Sequence, residues 1–342
     1  MAPNHSIVLF NYSFSPYGKR ILWYLTLRGI KFSICVRTSN LAQPQPEWLP
    51  RHDISALGLA YRRIPILSIG RDIFFDTRLI LDKLEELLPN GRLGASVPEQ
   101  RGTEKLLEKW LIDGGIFTRA GQLIPLDTPI LREPEFGKDR ADYSGKRTTL
   151  QEVIQVRPEA TADIREAFDL LETTFFADGR TWILSSDQLT LADIHGIWCF
   201  WWLHDMKTAL PPSLISKQQY PNTFAWIDHF AAAVSLATTA HGKAPKIDGA
   251  EALKQILAAD FAEPHVTIDE ADPTGLKLGQ EVEIWPTDTG SNHHDRGRLV
   301  GLSLHQVVIE CQTTVAGQVV RAHAPRHGFR IQAVSDGPKS FM

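Results

Sequence analysis

Residues 62–86 read RRIPILSIGRDIFFDTRLILDKLEE. Two short apolar runs, IPILSIG and RDIFFD, meet at Gly70-Arg71, and runs joined across such a turn read as a hairpin. After Phe75 the period changes. Leu79, Ile80 and Leu84 recur at helical spacing among charged residues, the pattern of an amphipathic helix. Pro89, Asn90 and Gly91 stop it. Asp76-Thr77 stands at the junction, where a short oxygen-bearing side chain satisfies the first free N–H groups of a helix. Pro65 opens the first strand, a place a proline tolerates at an edge. The stretch predicts β-β-α.

Working outward, SIVLF (6–10) is a buried-type strand, and Tyr17, Ile21, Leu22, Leu25 and Leu27 recur at helical spacing across 17–29. KFSICVR (31–37) alternates like a strand, and LAQPQPEWL begins an irregular region that runs to Arg63. The order β-α-β, then β-β-α, is that of a thioredoxin-like unit over 1–92. Residues 100–255 are predicted all-helical. The long helix TEKLLEKWLIDGGIFTRAGQLI is disturbed at Gly114-Gly115, and a proline-containing connection follows over 126–158. ATADIREAFDLLETTFF, LTLADIHGIWCFWWLHDM and YPNTFAWIDHFAAAV are three further helices. Beyond a polar linker at 262–275, short alternating strands with frequent turn signals predict a small β-barrel over 272–336.

Of 342 residues, 43% are apolar and 22% charged, with a net charge of −4. Those values describe a soluble globular chain and give no reason to expect nucleic acid or an acidic membrane surface. Cys35, Cys199 and Cys311 are far apart, which suits a reducing compartment. The N-terminus carries no secretory pattern and no apolar run approaches a membrane span. The expectation is a cytoplasmic protein.

Four stretches together resemble the glutathione transferase family across roughly 6–245. SPYGKRILWYL (15–25) is similar to the family's active-site loop and first helix, and 62–86 to its glutathione-binding strand–turn–helix. LTLADI resembles the family's Ser/Thr-x-x-Asp capping box, and YPNTFAWIDHF the helix after it. The tail lies outside the usual pattern and resembles a module attached to some fungal members. The fold implied is a thioredoxin-like domain plus an all-α domain, followed by a small all-β unit. The resemblance also implies glutathione as co-substrate, an electrophilic small molecule as second substrate and a homodimer.

It assigns roles to residues. Family members carry a cis bond at the position of Ile64-Pro65, which offers the residue before proline to an extended peptide as a sheet edge would. Thr77 would bind the γ-glutamyl carboxylate at the helix N-terminus, and Asp76 the ammonium. Asp76 is one methylene shorter than the usual glutamate, and AYRRIP departs from the usual pattern before Ile64.

A free thiol titrates near pH 8.5, so only about 3% is thiolate at pH 7. Lowering that pKa by about two raises the reactive fraction roughly thirtyfold. A hydroxyl at a helix N-terminus can do this by donating to the sulfur anion. Ser15 matches the position where thiol-using relatives carry cysteine, and Ser13 and Tyr12 are its rivals. Trp110, Gly114, Phe117 and Arg119 are candidate walls of the second-substrate pocket.

Other motifs read as structure. Thr190 and Asp193 form a capping box, and Trp198, Trp201 and Trp202 a packed core. His293-His294-Asp295 could ligate a metal, but no further ligand spacing joins it and a solvated hairpin loop is the expectation. Arg321, Arg326 and Arg330 are a local basic cluster. Three functional readings stay open: thiolate addition to an electrophile, cis-trans isomerisation at the same site, and a non-catalytic binding or scaffold protein. The tail is expected to dock against the helical domain in a structural role, because its linker is short and contains proline.

Overall fold

The expected hairpin is formed by β3 (Ile66–Ile69) and β4 (Asp72–Phe75), and α3 (Thr77–Leu87) follows directly. They belong to a computed structural model that describes residues 5–12, 14–36, 51–263 and 266–334. Upstream lie β1 (Ile7–Phe10), α1 (Pro16–Leu27), β2 (Ser33–Cys35) and a short α2 (His52–Ala56). β1 pairs parallel with β2 and antiparallel with β3, the thioredoxin-like arrangement. Side chains alternate across a strand, and here the alternation feeds two cores. Ile7, Leu9, Leu67 and Phe74 pack with α1, α3 and the helical domain. Val8, Phe10, Ile66, Ile73 and Phe75 face a second core.

The helical region contains α4 (Pro98–Ile112), α5 (Ile116–Gln122), α6 (Pro134–Ser144), α7 (Leu150–Leu170), α8 (Leu191–Asp205) and α9 (Pro221–His241). Gly115, at φ +83°, separates α4 from α5, as the Gly-Gly pair suggested. The expected connection at 126–158 is instead a 3₁₀ turn, α6 and the first turns of α7. PEFGKDRADYS has no apolar stripe, and α6 is held by charge: Arg62 Nη2 lies 2.7 Å from Asp139 and Nε 2.7 Å from Asp142. The capping box of α8 is present. Asp193 accepts from Thr190 N and Oγ1 at 2.9 and 3.1 Å, from Ile183 N at 3.0 Å and from Trp226 Nε1 at 3.0 Å. Trp198 is fully buried on that helix.

After α9 come β5 (Lys246–Ile247), which extends β2, and α10 (Gly249–Leu257). The tail supplies β6 (Glu281–Pro286), β7 (Asp295–Leu302), β8 (Gln306–Gln312), β9 (Val319–Pro325) and β10 (Phe329–Ala333). An added β unit is present, but its strands do not close on themselves. They lie in the order β10-β6-β7-β8-β9, and β9 pairs parallel with β4 to make one 10-stranded sheet. The tail docks as expected, yet chiefly on the thioredoxin-like sheet. Val282, Ile284, Leu299, Ile309 and Ala322 complete the second core, with Tyr61 from the preceding loop and Ile256 from α10. At the seam, buried His323 donates from Nε2 to Asp72 Oδ1 at 2.8 Å, and Glu263 accepts from Lys83 and Gln306, each at 2.9 Å.

Candidate functional site

Register brings the sequence-predicted residues to one end of the sheet. Phe10, the last residue of β1, lies opposite Ile66, the first of β3, and Ile66 lies opposite Phe75, the last of β4. Ser15, Pro65 and Asp76 therefore emerge together. The Ile64–Pro65 bond is cis, and the β1–β3 ladder begins only at Ile66.

Ser15 caps α1, and its Oγ accepts from Gly18 N at 3.1 Å. It is 5% exposed. Tyr12 stacks on Phe14 at 4.4 Å between centroids. Ser13 lies outside the described residues. Tyr17, the second residue of α1, packs on Phe117 and Trp198, each at 4.7 Å. Burial pushes its phenol well above the usual range, so it stays protonated.

Asp76 caps α3 through Oδ1, which accepts from Arg78 N at 3.0 Å, and it sits at φ +62°. Such a backbone costs about 1–3 kcal/mol outside glycine. Thr77 is buried, and Oγ1 accepts from Arg20 Nη1 at 2.5 Å. Arg20 is fully buried and also donates from Nη2 to Glu108 at 3.1 Å and to His195 Nδ1 at 2.7 Å. Burial holds the His195 pKa at about 3, so a neutral ring accepts from the guanidinium. Burial alone would raise the Glu108 pKa, but its neighbours, Arg20 among them, outweigh this and hold it at about 2. A charged Arg20–Glu108 pair thus underlies Thr77.

Three arginines missed by the sequence reading line the same end. Arg62 is buried against α6, Arg63 pairs with Asp288 and Asp76, and Arg78 pairs with Asp113 and Asp76. The signal for Arg62 and Arg63 was the departure AYRRIP before Ile64-Pro65, and Arg78 gave none. Arg140 of α6 lies over the Tyr143 ring at 4.7 Å, adding an aromatic and cationic flank. The loop between β6 and β7 lies against these residues. Gly290 N donates to Tyr143 O at 2.7 Å, and Asp295 Oδ1 accepts from Ala60 N at 2.6 Å and Tyr61 N at 3.2 Å.

That segment corrects one expectation. His293-His294-Asp295 is a docking segment rather than a solvated hairpin loop. His293 Nε2 lies 2.9 Å from Asp142, His294 stacks on Trp285 at 4.1 Å, and Asp295 is buried. The arginine cluster is likewise engaged in pairs: Arg321 over Phe261 at 4.0 Å, Arg326 with Asp272 at 3.1 Å and Arg330 over Trp285 at 6.0 Å. The four wall candidates divide. Trp110, Gly114 and Arg119 line a cleft of about 650 Å³ between α4, α5 and α7, where Arg119 pairs with Asp163 at 2.5 Å. Phe117 turns the other way, toward Tyr17 and Trp198. Residues predicted as one wall therefore occupy two faces of α4 and α5.

Residues 14–87 match the family described as the glutathione S-transferase N-terminal domain. That match is confined to the thioredoxin-like part of the chain. Residues 119–239 match a second family, described as a domain of unknown function (DUF7962). No curated protein matches the chain. A GST-like protein from Pseudomonas syringae superposes with a TM-score of 0.67 at 21% identity, covering 98% of this chain and 100% of that one. The shared fold thus extends through the added strands and occurs in a bacterial protein. A glutathione transferase family member from Pseudomonas fluorescens Pf-5, solved with bound glutathione, is 20% identical, with a TM-score of 0.46 over 71% of this chain and 100% of its own. A tau class glutathione S-transferase from mango is 14% identical, with a TM-score of 0.48 over 73% and 98%.

Proposed function

We propose that this protein is a glutathione S-transferase family member that binds glutathione and adds its thiolate to an electrophilic small molecule. One observation carries the reading: a helix-capping serine, the residue before a cis proline and a threonine at a second helix N-terminus converge at one sheet end. Each suits one part of the tripeptide. Thr77 and the α3 amides suit the γ-glutamyl carboxylate, Ile64 suits the cysteinyl backbone, and the Ser15 hydroxyl suits the sulfur. The hydroxyl proton would stabilise the thiolate, which then forms the carbon–sulfur bond. Phe14, Tyr12, Arg140 and Tyr143 flank the sulfur position and favour a planar electrophile, with Phe117 behind Tyr17. Isomerisation of a cis double bond would use the same thiolate, added and then eliminated.

A cytoplasmic homodimer remains part of this proposal. Cys35, Cys199 and Cys311 are all buried, which suits a reducing compartment. Among the described residues no helix is long and apolar enough to cross a membrane. The test is glutathione binding by calorimetry, followed by conjugation and isomerisation assays on a panel of electrophiles. Binding with turnover supports the transferase reading. Binding without turnover favours the scaffold alternative, and absence of binding removes both enzyme readings.

A further inference from the structure

Arg63 and Arg78 converge on a single oxygen. Nη1 of Arg63 lies 3.8 Å and Nη1 of Arg78 3.9 Å from Asp76 Oδ2, both beyond hydrogen-bonding reach. Among the described residues neither Nη1 donates a hydrogen bond. Each guanidinium is anchored elsewhere, Arg63 through Nε and Nη2 and Arg78 through Nη2, while the buried Arg78 Nε has no partner among the described residues. Arg63 Nε donates to the Thr289 carbonyl at 2.8 Å and Nη2 pairs with Asp288. Arg78 Nη2 pairs with Asp113, which also meets His327 Nε2 at 3.0 Å. Asp288 and Thr289 belong to the β6–β7 loop and His327 to the β9–β10 turn. Register brings both turns to the ligand end of the sheet, since Pro286 lies opposite Phe329 and β9 runs parallel to β4. Beside the two guanidiniums is Thr77, 2% exposed, whose Oγ1 accepts from Arg20. Its hydroxyl proton has no acceptor among the described residues.

We propose that the C-terminal β unit completes the ligand site by holding Arg63 and Arg78 as a clamp for a carboxylate at the N-terminus of α3. The inference rests on the glutathione reading, and the group clamped is the γ-glutamyl α-carboxylate. Two outward-facing Nη1 groups, the α3 amides and the Thr77 hydroxyl are all donors, and a carboxylate supplies the acceptors they lack. Asp288 and Asp113 are turned to the far sides of the guanidiniums, so an ammonium at the same place finds one acceptor, Asp76 Oδ2, with both Nη1 groups beside it. The site therefore reads the carboxylate of the γ-glutamyl end and is nearly indifferent to its amine, which reverses the ammonium role that the resemblance gives Asp76. The tail becomes a specificity element supplied within the same chain.

The experiment is calorimetry on the full-length protein with three probes: glutathione, glutaryl-cysteinyl-glycine, which lacks the α-amine, and 4-aminobutyryl-cysteinyl-glycine, which lacks the α-carboxylate. Removing the carboxylate is expected to weaken binding at least tenfold more than removing the amine, and any smaller ratio overturns the clamp. Asp288→Ala and His327→Ala alter exposed side chains, and thermal melts check that each variant stays folded. Each should weaken glutathione about five- to twentyfold while leaving the carboxylate-free probe within about twofold. Glutathione binding that neither variant weakens overturns the role of the tail and leaves the glutathione reading standing. A wild-type protein that binds none of the probes removes the glutathione reading and the clamp with it.

Discussion

Ser15 keeps a hydroxyl proton that its own helix does not use, because Oγ serves α1 as an acceptor from Gly18. That division of labour predicts the kinetic signature of Ser15→Ala. Conjugation should slow at least tenfold while glutathione affinity stays within a few fold, because the lost bond forms to the thiolate; a rise in KM with unchanged kcat would contradict it. Asp295 gives a pH prediction. Burial raises its pKa to about 7, and Oδ2 has no partner among the described residues. Its unfolded value is about 3.9, so between about pH 4 and 7 the folded state holds a proton that the unfolded state has released. Stability therefore falls as pH rises through that window, by at most about 4 kcal/mol from this residue. Glu104, raised to about 7 chiefly by burial, adds in the same direction. Asp295→Asn keeps an acceptor for Ala60 and Tyr61 and removes the titration. Its melting temperature should change less between pH 5 and 8 than that of the wild type, and an unchanged slope would show that Asp295 does not titrate there.

At the scale of elements, α8 was the most legible and α6 the least. LTLADI announced its cap, and Asp193 fulfils it while also accepting from Ile183 and Trp226 across the core. Asp193→Ala strands these buried donors and should cost more than about 3 kcal/mol. Chemical denaturation would measure it, and a loss below about 1 kcal/mol would make the network dispensable. α6 lacked a periodic apolar face, the signal on which helix prediction rests. It is held by Arg62, whose side chain is buried between Asp139 and Asp142. Breaking a buried pair at one partner typically costs about 3–5 kcal/mol, so Arg62→Ala should loosen α6. Faster amide exchange across 134–144 is the expected readout, and unaltered exchange would argue against Arg62 as its anchor.

The whole molecule is one sheet shared by the first and last segments of the chain. Truncation after residue 262 would uncover Val8, Phe10, Ile66, Ile73 and Phe75 together with the β4 edge. Each apolar side chain contributes about 1.5–3 kcal/mol when fully buried, and an unpaired edge invites aggregation. It would also leave Asp72 without His323 and Lys83 without Glu263. The expected outcome is insoluble or strongly destabilised protein, whereas an unchanged melting temperature would mark the tail as an independent module.

By itself the sequence determined what is local. The hairpin of 66–75, the caps at Ser15, Asp76 and Thr190 and the alternation of the tail strands depend on neighbours a few residues away. Those neighbours fix backbone preference and hydrophobic period. The tertiary structure alone decided what pairs at a distance. Nothing in GQVVRAH specifies β4 as its partner, since any strand edge offers the same N–H and C=O groups. That choice follows from which faces bury apolar surface and from the Asp72–His323 contact, 251 residues apart in sequence. The same holds for the arginines. Arg63 and Arg78 read as ordinary surface charges until the β6–β7 loop sets Asp288 against the first and the end of α4 sets Asp113, itself met by His327 of the β9–β10 turn, against the second, because charge pairing depends on separation in space.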